Sequence, residues 1–369
     1  MGGFSGAVFP KQVPNTNFTT TSGILMLRCS IPSTGQPHVT EGVMSVARLS
    51  GSGQCMPLIG LGTWKGDKGV VGEAVYQAIK LGYRHLDCAS DYGNEQEVGL
   101  GIQRALKEGI CTRSDLFVTS KLWNTFHARD HVELACRRSL EDLGLEYIDL
   151  YLIHFPIALK FVPFEKRYPP EWIHDPEAEH PKMEFANVTH RETWEAMETL
   201  VDKKLARNIG LSNYNAQSIM DILKYARIRP AVLQVELHPY LSQESLVWFC
   251  QSHGITVTGF SNFGSSSYIP LGMDQGHGSG ALGDPAIKDI AAKHGKTSAQ
   301  VILRWLVQRD IVCIPKSVKP ERLAQNLNIF DFKLSDEEMK IMFSLNKNIR
   351  YNDPGEFCKG MGGSYPIYA

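Results

Sequence analysis

The feature that most constrains the fold of this chain is a regular alternation of short apolar runs with amphipathic stretches. From about residue 56, eight runs rich in β-branched and apolar residues are followed by stretches with apolar residues at three- and four-residue spacing. The predicted strands are LIGLG (58–62), RHLDCA (84–89), FVTSK (117–121), LYLIH (150–154), NIGLSN (208–213), LQVELH (233–238), TVTGF (256–260) and VCIPK (312–316). Strands that alternate with helices indicate an α/β fold with a parallel sheet. Eight such units predict a closed (β/α)8 barrel.

An open, doubly wound sheet is the alternative fold. Such a sheet usually carries a GxGxxG turn after its first strand, where glycines let the backbone approach a pyrophosphate. The one string of this form, GSGALG (278–283), follows a loop rich in Gly and His instead of a strand. We therefore interpret it as a flexible loop and favour the barrel.

Polar or aromatic residues stand at the carboxyl end of nearly every predicted strand. They are Trp64, Asp87, Lys121, His154, Ser212 with Asn213, Gln234, Ser261 and Lys316. Any one of them could be a satisfied polar group of the core. In a (β/α)8 barrel, however, the carboxyl ends of all strands meet at one rim, and that rim carries the active site. The pattern therefore predicts a functional site there.

Asp87, Lys121 and His154, together with Tyr92, are the residue types that reduction of a carbonyl group requires. An ordinary tyrosine has a pKa of about 10, and a lysine ammonium nearby is expected to lower it by favouring the phenolate. An aspartate paired with the lysine would keep it charged, and the histidine could hold the substrate oxygen beside the phenol. We therefore expect Tyr92 to be the proton donor.

Three long stretches resemble the signatures of the aldo-keto reductases, in the order of that family. They are GYRHLDCASDYGNEQEVG (82–99), LEDLGLEYIDLYLIH (140–154) and IPKSVKPERLAQN (314–326). The similarity covers roughly residues 50 to 369. It implies a (β/α)8 barrel with an N-terminal hairpin and a C-terminal substrate loop, and the catalytic residues Asp87, Tyr92, Lys121 and His154.

The resemblance also implies where the cofactor, NADPH (or NADP+), would bind. The nicotinamide end would be formed by Gly62, Thr63, Trp64, Asp87, Ser212, Asn213, Gln234, Phe260 and Ser261. The adenosine end would be formed by Lys316, Ser317, Val318, Arg322, Gln325 and Asn326. Two cations and a hydroxyl at the start of a helix make an anion site, which suits the 2′-phosphate that distinguishes NADPH from NADH.

Three positions depart from the family pattern or add to it. Phe260 stands where the family usually carries tyrosine, so a stacking face is kept and a hydroxyl is lost. Gln325 replaces a glutamate often found beside the adenine, which would loosen that contact. Lys319 adds a third cation near the phosphate clamp, and we expect it to strengthen the preference for NADPH.

Loops on the rim should decide the substrate. HFPIALKFVPFEKRYPPEW (154–172) and IRYNDPGEF (349–357) resemble yeast-type xylose reductases, whereas SLVWFCQSHGI and NIFDFKLSDEEM are similar to plant mannose 6-phosphate reductases. The substrate residues implied are Trp64, Trp123, His154, Phe155 and Asn352. An aldose such as xylose is favoured, with a sugar phosphate as the close alternative. A non-catalytic, NADPH-binding regulatory subunit is the alternative of a different class, and the complete set of four catalytic residues argues against it.

The composition of the chain indicates which kinds of partner it binds and in which compartment it lies. The net charge of −1 and the isoelectric point near 6.9 indicate no overall attraction to nucleic acid or to anionic membranes. No apolar run reaches the roughly 18 residues of a membrane span. The eight cysteines form neither a CxxC pair nor a zinc-finger pattern, so we expect free thiols in the cytoplasm and no metal. The predicted partners are small molecules, and a monomer and a homodimer remain open.

The N-terminal region differs from the rest of the chain. Its first 40 residues contain two basic residues, no Asp or Glu and ten Ser or Thr. This composition suits an organelle transit peptide, a disordered tail, or a start codon upstream of a true start at Met44. We predict an extension over residues 1–45 and a barrel domain over residues 46–369.

Overall fold

Eight parallel strands form the centre of the molecule in a computed structural model that describes residues 25–27, 44–66, 68–274, 280–363 and 365–368. The strands are β1 (Leu25–Leu27), β2 (Met44–Arg48), β3 (Cys55–Pro57), β4 (Leu61–Gly62), β5 (His85–Asp87), β6 (Phe117–Leu122), β7 (Ile148–Ile153), β8 (Ala206–Ser212), β9 (Val232–Glu236), β10 (Thr256–Phe260) and β11 (Ile311–Cys313). Strands β4 to β11 pair in chain order, each parallel to the next. All eight predicted strands are therefore present.

Backbone hydrogen bonds between the first and last of these strands close the sheet. The amide of Gly60 donates to the carbonyl of Cys313 at 2.8 Å, and the amide of Cys313 donates to the carbonyl of Leu58 at 2.8 Å. Ile59 and Cys313 form a parallel bridge at the same place. The predicted (β/α)8 barrel is thus confirmed, and the open sheet is excluded. Every residue of β6 and of β7 is buried, as expected for strands covered on both faces.

Amphipathic helices surround the barrel. They are α1 (Val71–Leu81), α2 (Glu95–Lys107), α3 (Arg129–Leu143), α4 (His190–Asp202), α5 (Ala216–Tyr225), α6 (Glu244–Ser252), α7 (Pro285–His294), α8 (Ser298–Val307), α9 (Pro320–Leu327), α10 (Asp336–Ser344) and α11 (Pro354–Phe357). Their ends follow local chemistry, since Thr297 caps α8 in a capping box and Gly144 ends α3 with a left-handed φ of 65°. In the described residues, no helix combines the length and the apolar character that crossing a membrane requires.

The predicted N-terminal hairpin closes the barrel at the amino ends of the strands. Strands β2 and β3 pair antiparallel, and the hairpin reaches the barrel through Gln54. The Gln54 amide donates to Asp149 Oδ1 at 2.7 Å and accepts from Asn208 Nδ2 at 2.7 Å. Arg113 pairs with the same buried carboxylate at 2.7 Å. Because this end is filled by the hairpin and its polar contacts, the opposite rim is left for the site.

The N-terminal extension and the GSGALG string lie only partly within the described residues. Most of the extension predicted over residues 1–45 lies outside the described residues, but Leu25–Leu27 form β1 against β2, which begins at Met44. The first part of the GSGALG string also lies outside them. Gly280–Gly283 form a 3-10 turn in which Gly280 and Ala281 are buried, so the interpretation as a loop does not hold for these four residues. The seven cysteines that the structure describes are free thiols.

Candidate active site

A cleft of about 1350 Å³ opens at the carboxyl ends of the barrel strands. Small-ligand pockets typically measure about 300–1,000 Å³, so this cleft has room for a dinucleotide together with a small substrate. Of the residues predicted from the sequence, it is lined by Gly62, Trp64, Asp87, Tyr92, Trp123, His154, Phe155, Ser212, Asn213, Gln234, Phe260, Ser261, Lys316, Ser317, Arg322, Gln325, Asn326 and Asn352. Side chains separated by up to 290 positions in the chain thus share one cavity because the barrel brings the strand ends together.

Lys121 lies directly beneath the cleft and connects two of the predicted catalytic residues. Its fully buried ammonium donates to Asp87 Oδ1 at 2.6 Å, to the carbonyl of Cys88 at 2.8 Å and to Tyr92 Oη at 3.2 Å. The second carboxylate oxygen of Asp87 accepts from Gln234 Nε2 at 2.7 Å. A buried charge is tolerated only when it is paired and hydrogen-bonded, and here every donor position of the ammonium has a partner.

The environment of Tyr92 keeps its phenol protonated. Burial raises the pKa of Tyr92 well above its ordinary value, and the negative charge of Asp87 adds to the effect. The expected net lowering of this pKa is not found, because the desolvation of a buried phenolate outweighs the stabilising effect of one ammonium that is already shared with a carboxylate. A high pKa ensures that the proton is present on Tyr92 at neutral pH.

His154 faces Tyr92 across the cleft as a neutral imidazole. The two ring centroids lie 5.8 Å apart, and Trp123 packs edge-on against His154 at 5.2 Å. Burial, with further contributions from Lys121 and His127, lowers the pKa of His154 well below its usual value. Its Nδ1 has no hydrogen-bond partner among the described residues. A neutral ring keeps one N–H that can donate to a substrate oxygen.

Three cations line the adenosine end of the cleft. Lys316 and Arg322, with Ser317 between them, precede or begin α9, and neither cation forms an ion pair with a carboxylate of the described chain. Lys65 joins them, and both burial and the charge of Lys316 lower its pKa. Because Lys316 and Arg322 form no ion pair within the described chain, their charges favour a bound anion. Lys319, the third cation expected from the sequence, is exposed and does not line the cleft.

Buried polar side chains form the nicotinamide end. Ser212, Asn213 and Gln234 are each no more than 2% exposed; Ser212 ends β8, Asn213 follows it, and Gln234 lies in the middle of β9. Phe260 ends β10 and presents an aromatic ring to the cleft, without the hydroxyl that the family usually has. Polar amide and hydroxyl groups beside an aromatic face are the donor set that a carboxamide-bearing ring requires. These residues therefore fit a nicotinamide cofactor.

Two predicted cofactor residues, Thr63 and Val318, do not line the cleft. Thr63 is buried behind its wall, where its hydroxyl donates to the carbonyl of Asp87 at 2.9 Å. A Cβ on the neighbouring Gly62 would lie 2.6 Å from the carbonyl oxygen of Ile314, so the close approach of the first and last barrel strands requires glycine there. Thr63 thus supports the strand that carries Asp87.

Aromatic side chains and a few polar atoms form the substrate end. The predicted residues Trp64, Trp123 and Phe155 are joined by Trp172, Phe357 and Tyr268, which sequence reasoning missed. Trp172 and Phe357 lie in the two rim loops already singled out, so aromatic content in those loops could have identified them. Tyr268 follows a segment without a recognisable pattern, and only the tertiary structure brings it to Trp64 at 5.6 Å.

Asp91 is a second residue that sequence reasoning missed, although it directly precedes Tyr92. Its carboxyl group lines the cleft, and burial together with the nearby charge of Glu171 raises its pKa to about 7. Across the cleft, Asn352 Oδ1 is buried and has no hydrogen-bond partner among the described residues. A carboxyl group and an unsatisfied amide oxygen in an aromatic pocket suit a ligand rich in hydroxyl groups.

A buried carboxylate fixes the loop that carries Asn352. Glu236, at the end of β9, accepts hydrogen bonds from the backbone amides of Tyr351 at 2.9 Å and of Asn352 at 2.7 Å. The Nε2 of His238 lies 2.8 Å from the same carboxylate. We call residues 349–368 the C-terminal segment; Glu236 is one of its anchors on the barrel.

Sequence comparison identifies the family to which this fold belongs. Residues 58–347 match the model of the Aldo/keto reductase family, which is more than half of the chain. The chain belongs to the aldo/keto reductase family. The four central residues of the cleft, Asp87, Tyr92, Lys121 and His154, all lie within this matched region.

Named relatives of this aldo/keto reductase are fungal enzymes. A probable NAD(P)H-dependent D-xylose reductase of Neosartorya fischeri is 54% identical over 304 residues, which cover 82% of this chain and 94% of the relative. The NAD(P)H-dependent D-xylose reductase of Aspergillus niger is 52% identical over 318 residues, 86% of this chain and 97% of the relative.

Solved structures of the same family share the fold. The aldose reductase from Schistosoma japonicum superimposes with a TM-score of 0.75 at 41% identity, covering 88% of this chain and 99% of that chain. The aldo-keto reductase of Bombyx mori in complex with NADP gives a TM-score of 0.74 at 38% identity, covering 88% and 98%.

Proposed function

We propose that this protein is an NADPH-dependent aldose reductase that converts an open-chain sugar such as xylose to its alditol. The observation that carries the proposal is the joined set of Lys121, Asp87 and Tyr92, with a neutral His154 opposite, at the base of a cleft lined by hydroxyl-binding groups. The same geometry argues against a non-catalytic binding subunit, because a buried lysine and aspartate without a catalytic role would be a costly arrangement.

In the proposed reaction the protein supplies the proton and orients the carbonyl group. His154 donates a ring N–H to the substrate oxygen and holds it beside Tyr92. As charge develops on that oxygen, the Tyr92 O–H bond breaks and the proton passes to it, giving the alcohol. The Lys121 ammonium, 3.2 Å from Oη, stabilises the resulting phenolate until it is reprotonated. Asp87 holds the ammonium in place and is itself fixed by a hydrogen bond from Gln234.

The cofactor supplies the hydride that adds to the carbonyl carbon. Ser212, Asn213 and Gln234 are proposed to hold its carboxamide, and Phe260 to stack on its ring. Lys316 and Arg322, with Lys65, would bind the 2′-phosphate, so NADPH is preferred over NADH. Gln325 and Asn326 line the cleft beside them, where the adenine would lie.

The substrate end favours a neutral sugar over a sugar phosphate. Asp91 and Glu171 lie near one another there, and their negative charges would repel a phosphate group. Asn352 and Asp91 offer acceptors to sugar hydroxyls, while the aromatic walls contact the carbon chain. The mannose 6-phosphate alternative is thereby disfavoured on electrostatic grounds.

Steady-state assays of NADPH oxidation with the full chain test this proposal. We expect a higher kcat/KM for xylose than for mannose 6-phosphate, and a kcat lower by about 10²–10⁴-fold in Tyr92→Phe, which keeps the ring and loses the proton. The exposed Tyr365→Phe serves as control, since Tyr365 does not line the cleft and its ring lies 5.9 Å from that of Phe185. Full activity of Tyr92→Phe would refute the mechanism, and activity with an aromatic aldehyde alone would replace the sugar as substrate.

We also propose a cytoplasmic location and a protein that is a monomer or a homodimer. Free thiols throughout the described cysteines are compatible with a reducing compartment such as the cytoplasm. N-terminal sequencing of the native protein distinguishes a processed transit peptide from a start at Met44. Light scattering of the purified protein distinguishes a monomer from a homodimer.

A further inference from the structure

Tyr368, in the C-terminal segment, contacts the cofactor end of the cleft from outside. Its hydroxyl donates to Asn213 Oδ1 at 3.1 Å and lies 3.5 Å from the backbone carbonyl of the same residue. The guanidinium of Arg350 covers the Tyr368 ring at 3.5 Å, and Asn215 Nδ2 donates to the carbonyl of Ile367 at 3.0 Å. The phenol is therefore held in place by contacts separate from its own hydrogen bond.

Asn213 has a left-handed backbone conformation, and nearly all hydrogen-bonding positions of its side-chain amide have partners. Its φ of 64° lies in the left-handed region, which asparagine tolerates better than most residues. Its Nδ2 donates to the carbonyl of His154 at 2.9 Å and to Ser212 Oγ at 3.2 Å. With Tyr368 bound to Oδ1, both amide hydrogens and one of the two lone pairs are engaged. One lone pair is left for a ligand.

We propose that Tyr368 is a positioning residue of the cofactor site, which fixes the Asn213 amide so that its remaining lone pair accepts from the nicotinamide carboxamide. This inference rests on the proposed function, in which Asn213 binds that group. Three hydrogen bonds fix the Asn213 side chain: it donates to His154 and to Ser212, and it accepts from Tyr368 of the C-terminal segment. The segment that carries the substrate residue Asn352 thus also orders the cofactor pocket.

The substitution Tyr368→Phe isolates the hydroxyl, because the ring and its packing against Arg350 are kept. We expect the Kd for NADPH, measured by quenching of protein fluorescence, to rise about three- to tenfold, as for the loss of one hydrogen bond. The Kd for NADH should rise by the same factor, since both cofactors carry the carboxamide. Thermal stability should be unchanged, and the control Tyr365→Phe on the same segment should bind like the wild type.

A double-mutant cycle with Asn213→Gly tests whether Tyr368 acts through Asn213. Glycine keeps the left-handed backbone and removes the amide, so Tyr368→Phe should cause no further change in Kd in this background. Additive effects of the two substitutions would overturn the inference, as would a Tyr368→Phe protein with wild-type affinity or a change confined to NADPH. If the wild-type protein itself bound neither cofactor, the proposed function would fail instead.

Discussion

At the scale of single residues, the cleft is divided by charge: cations gather at the proposed adenosine end, and carboxyl groups lie at the proposed substrate end. Lys316 and Arg322 form no ion pair with a carboxylate of the described residues, and Lys65 lies near Lys316, whereas Asp91 and Glu171 lie close to the proposed sugar site. Because each group acts on one part of one ligand, single substitutions should have separable kinetic effects.

Arg322→Ala should raise the KM for NADPH far more than the KM for NADH. Loss of a charge-assisted hydrogen bond to a phosphate costs about 1.5–3 kcal/mol, or roughly 10- to 150-fold in affinity, and NADH has no 2′-phosphate to lose. Lys319→Ala is the matched control, because that cation is exposed and lies outside the cleft. Equal effects of Arg322→Ala on both cofactors would exclude the phosphate clamp.

Asp91 should make sugar binding depend on pH. With a pKa of about 7, its carboxyl group is largely protonated below neutrality and largely ionised above it. The ionised form accepts hydrogen bonds from hydroxyl groups at both oxygens, so we expect the KM for xylose to fall as pH rises through about 7. Asp91→Asn should abolish this dependence. An aromatic aldehyde without hydroxyl groups is the control substrate, and the same pH dependence with it would contradict the assignment.

At the scale of structural elements, the substrate end depends on how the C-terminal segment is anchored. The buried carboxylate of Glu236, at the end of β9, binds the backbone amides of Tyr351 and Asn352 in the C-terminal segment. The amide of Met183 also donates to the carbonyl of Met361 at 2.8 Å, which joins this segment to the long loop after β7. These contacts make the two rim loops one wall of the pocket.

Glu236→Gln should loosen this wall. The side-chain NH2 group that this substitution introduces cannot accept a hydrogen bond from a backbone amide, as the carboxylate oxygen does. A buried backbone amide left without an acceptor costs about 1–3 kcal/mol. We expect a lower midpoint of urea unfolding and a higher KM for xylose as Asn352 shifts. Glu356→Gln, exposed on α11 of the same segment, is the control. An unchanged KM in Glu236→Gln would show that the anchor does not order the substrate site.

At the scale of the whole molecule, the buried polar layer beneath the rim ties stability to pH. Glu95, at the start of α2, is buried and accepts from Ser120 Oγ at 2.5 Å and Ser139 Oγ at 2.8 Å. Burial raises its pKa from 4.5 to about 7 in spite of these hydrogen bonds. The native state therefore binds a proton, between pH 4.5 and about 7, that the unfolded chain has already released.

This difference sets the sign of the pH effect. The free energy of unfolding should fall as pH rises from 4.5 to about 7, and this group should contribute no further change above that pH. The full effect is on the order of 3 kcal/mol. Glu95→Gln, measured by urea unfolding across this range, should reduce the dependence, whereas the exposed Glu146→Gln should leave it as in the wild type. An identical slope in Glu95→Gln would argue against the assignment.

Much of this protein is determined by its sequence alone. Periodicity is a local property, so all eight strands and the alternation with helices could be predicted within a few residues. Chemistry suggested the residue types of the central set, because few side chains can donate a proton beside a lysine and an aspartate. The family resemblance implied the four residues together, and their catalytic roles stay a prediction. The family resemblance, confirmed by comparison, assigned the cofactor residues, most of which the cleft brings together.

Tertiary structure alone decided what depends on burial and on contacts between distant segments. The pKa of Tyr92 is raised instead of lowered, because desolvation depends on how deeply the barrel encloses the phenol. Lys65, instead of Lys319, lines the cleft beside Lys316, and Tyr368 reaches Asn213 across 155 positions of the chain. A sequence records which groups are present, whereas the distance between them and the water excluded around them exist only once the chain has folded.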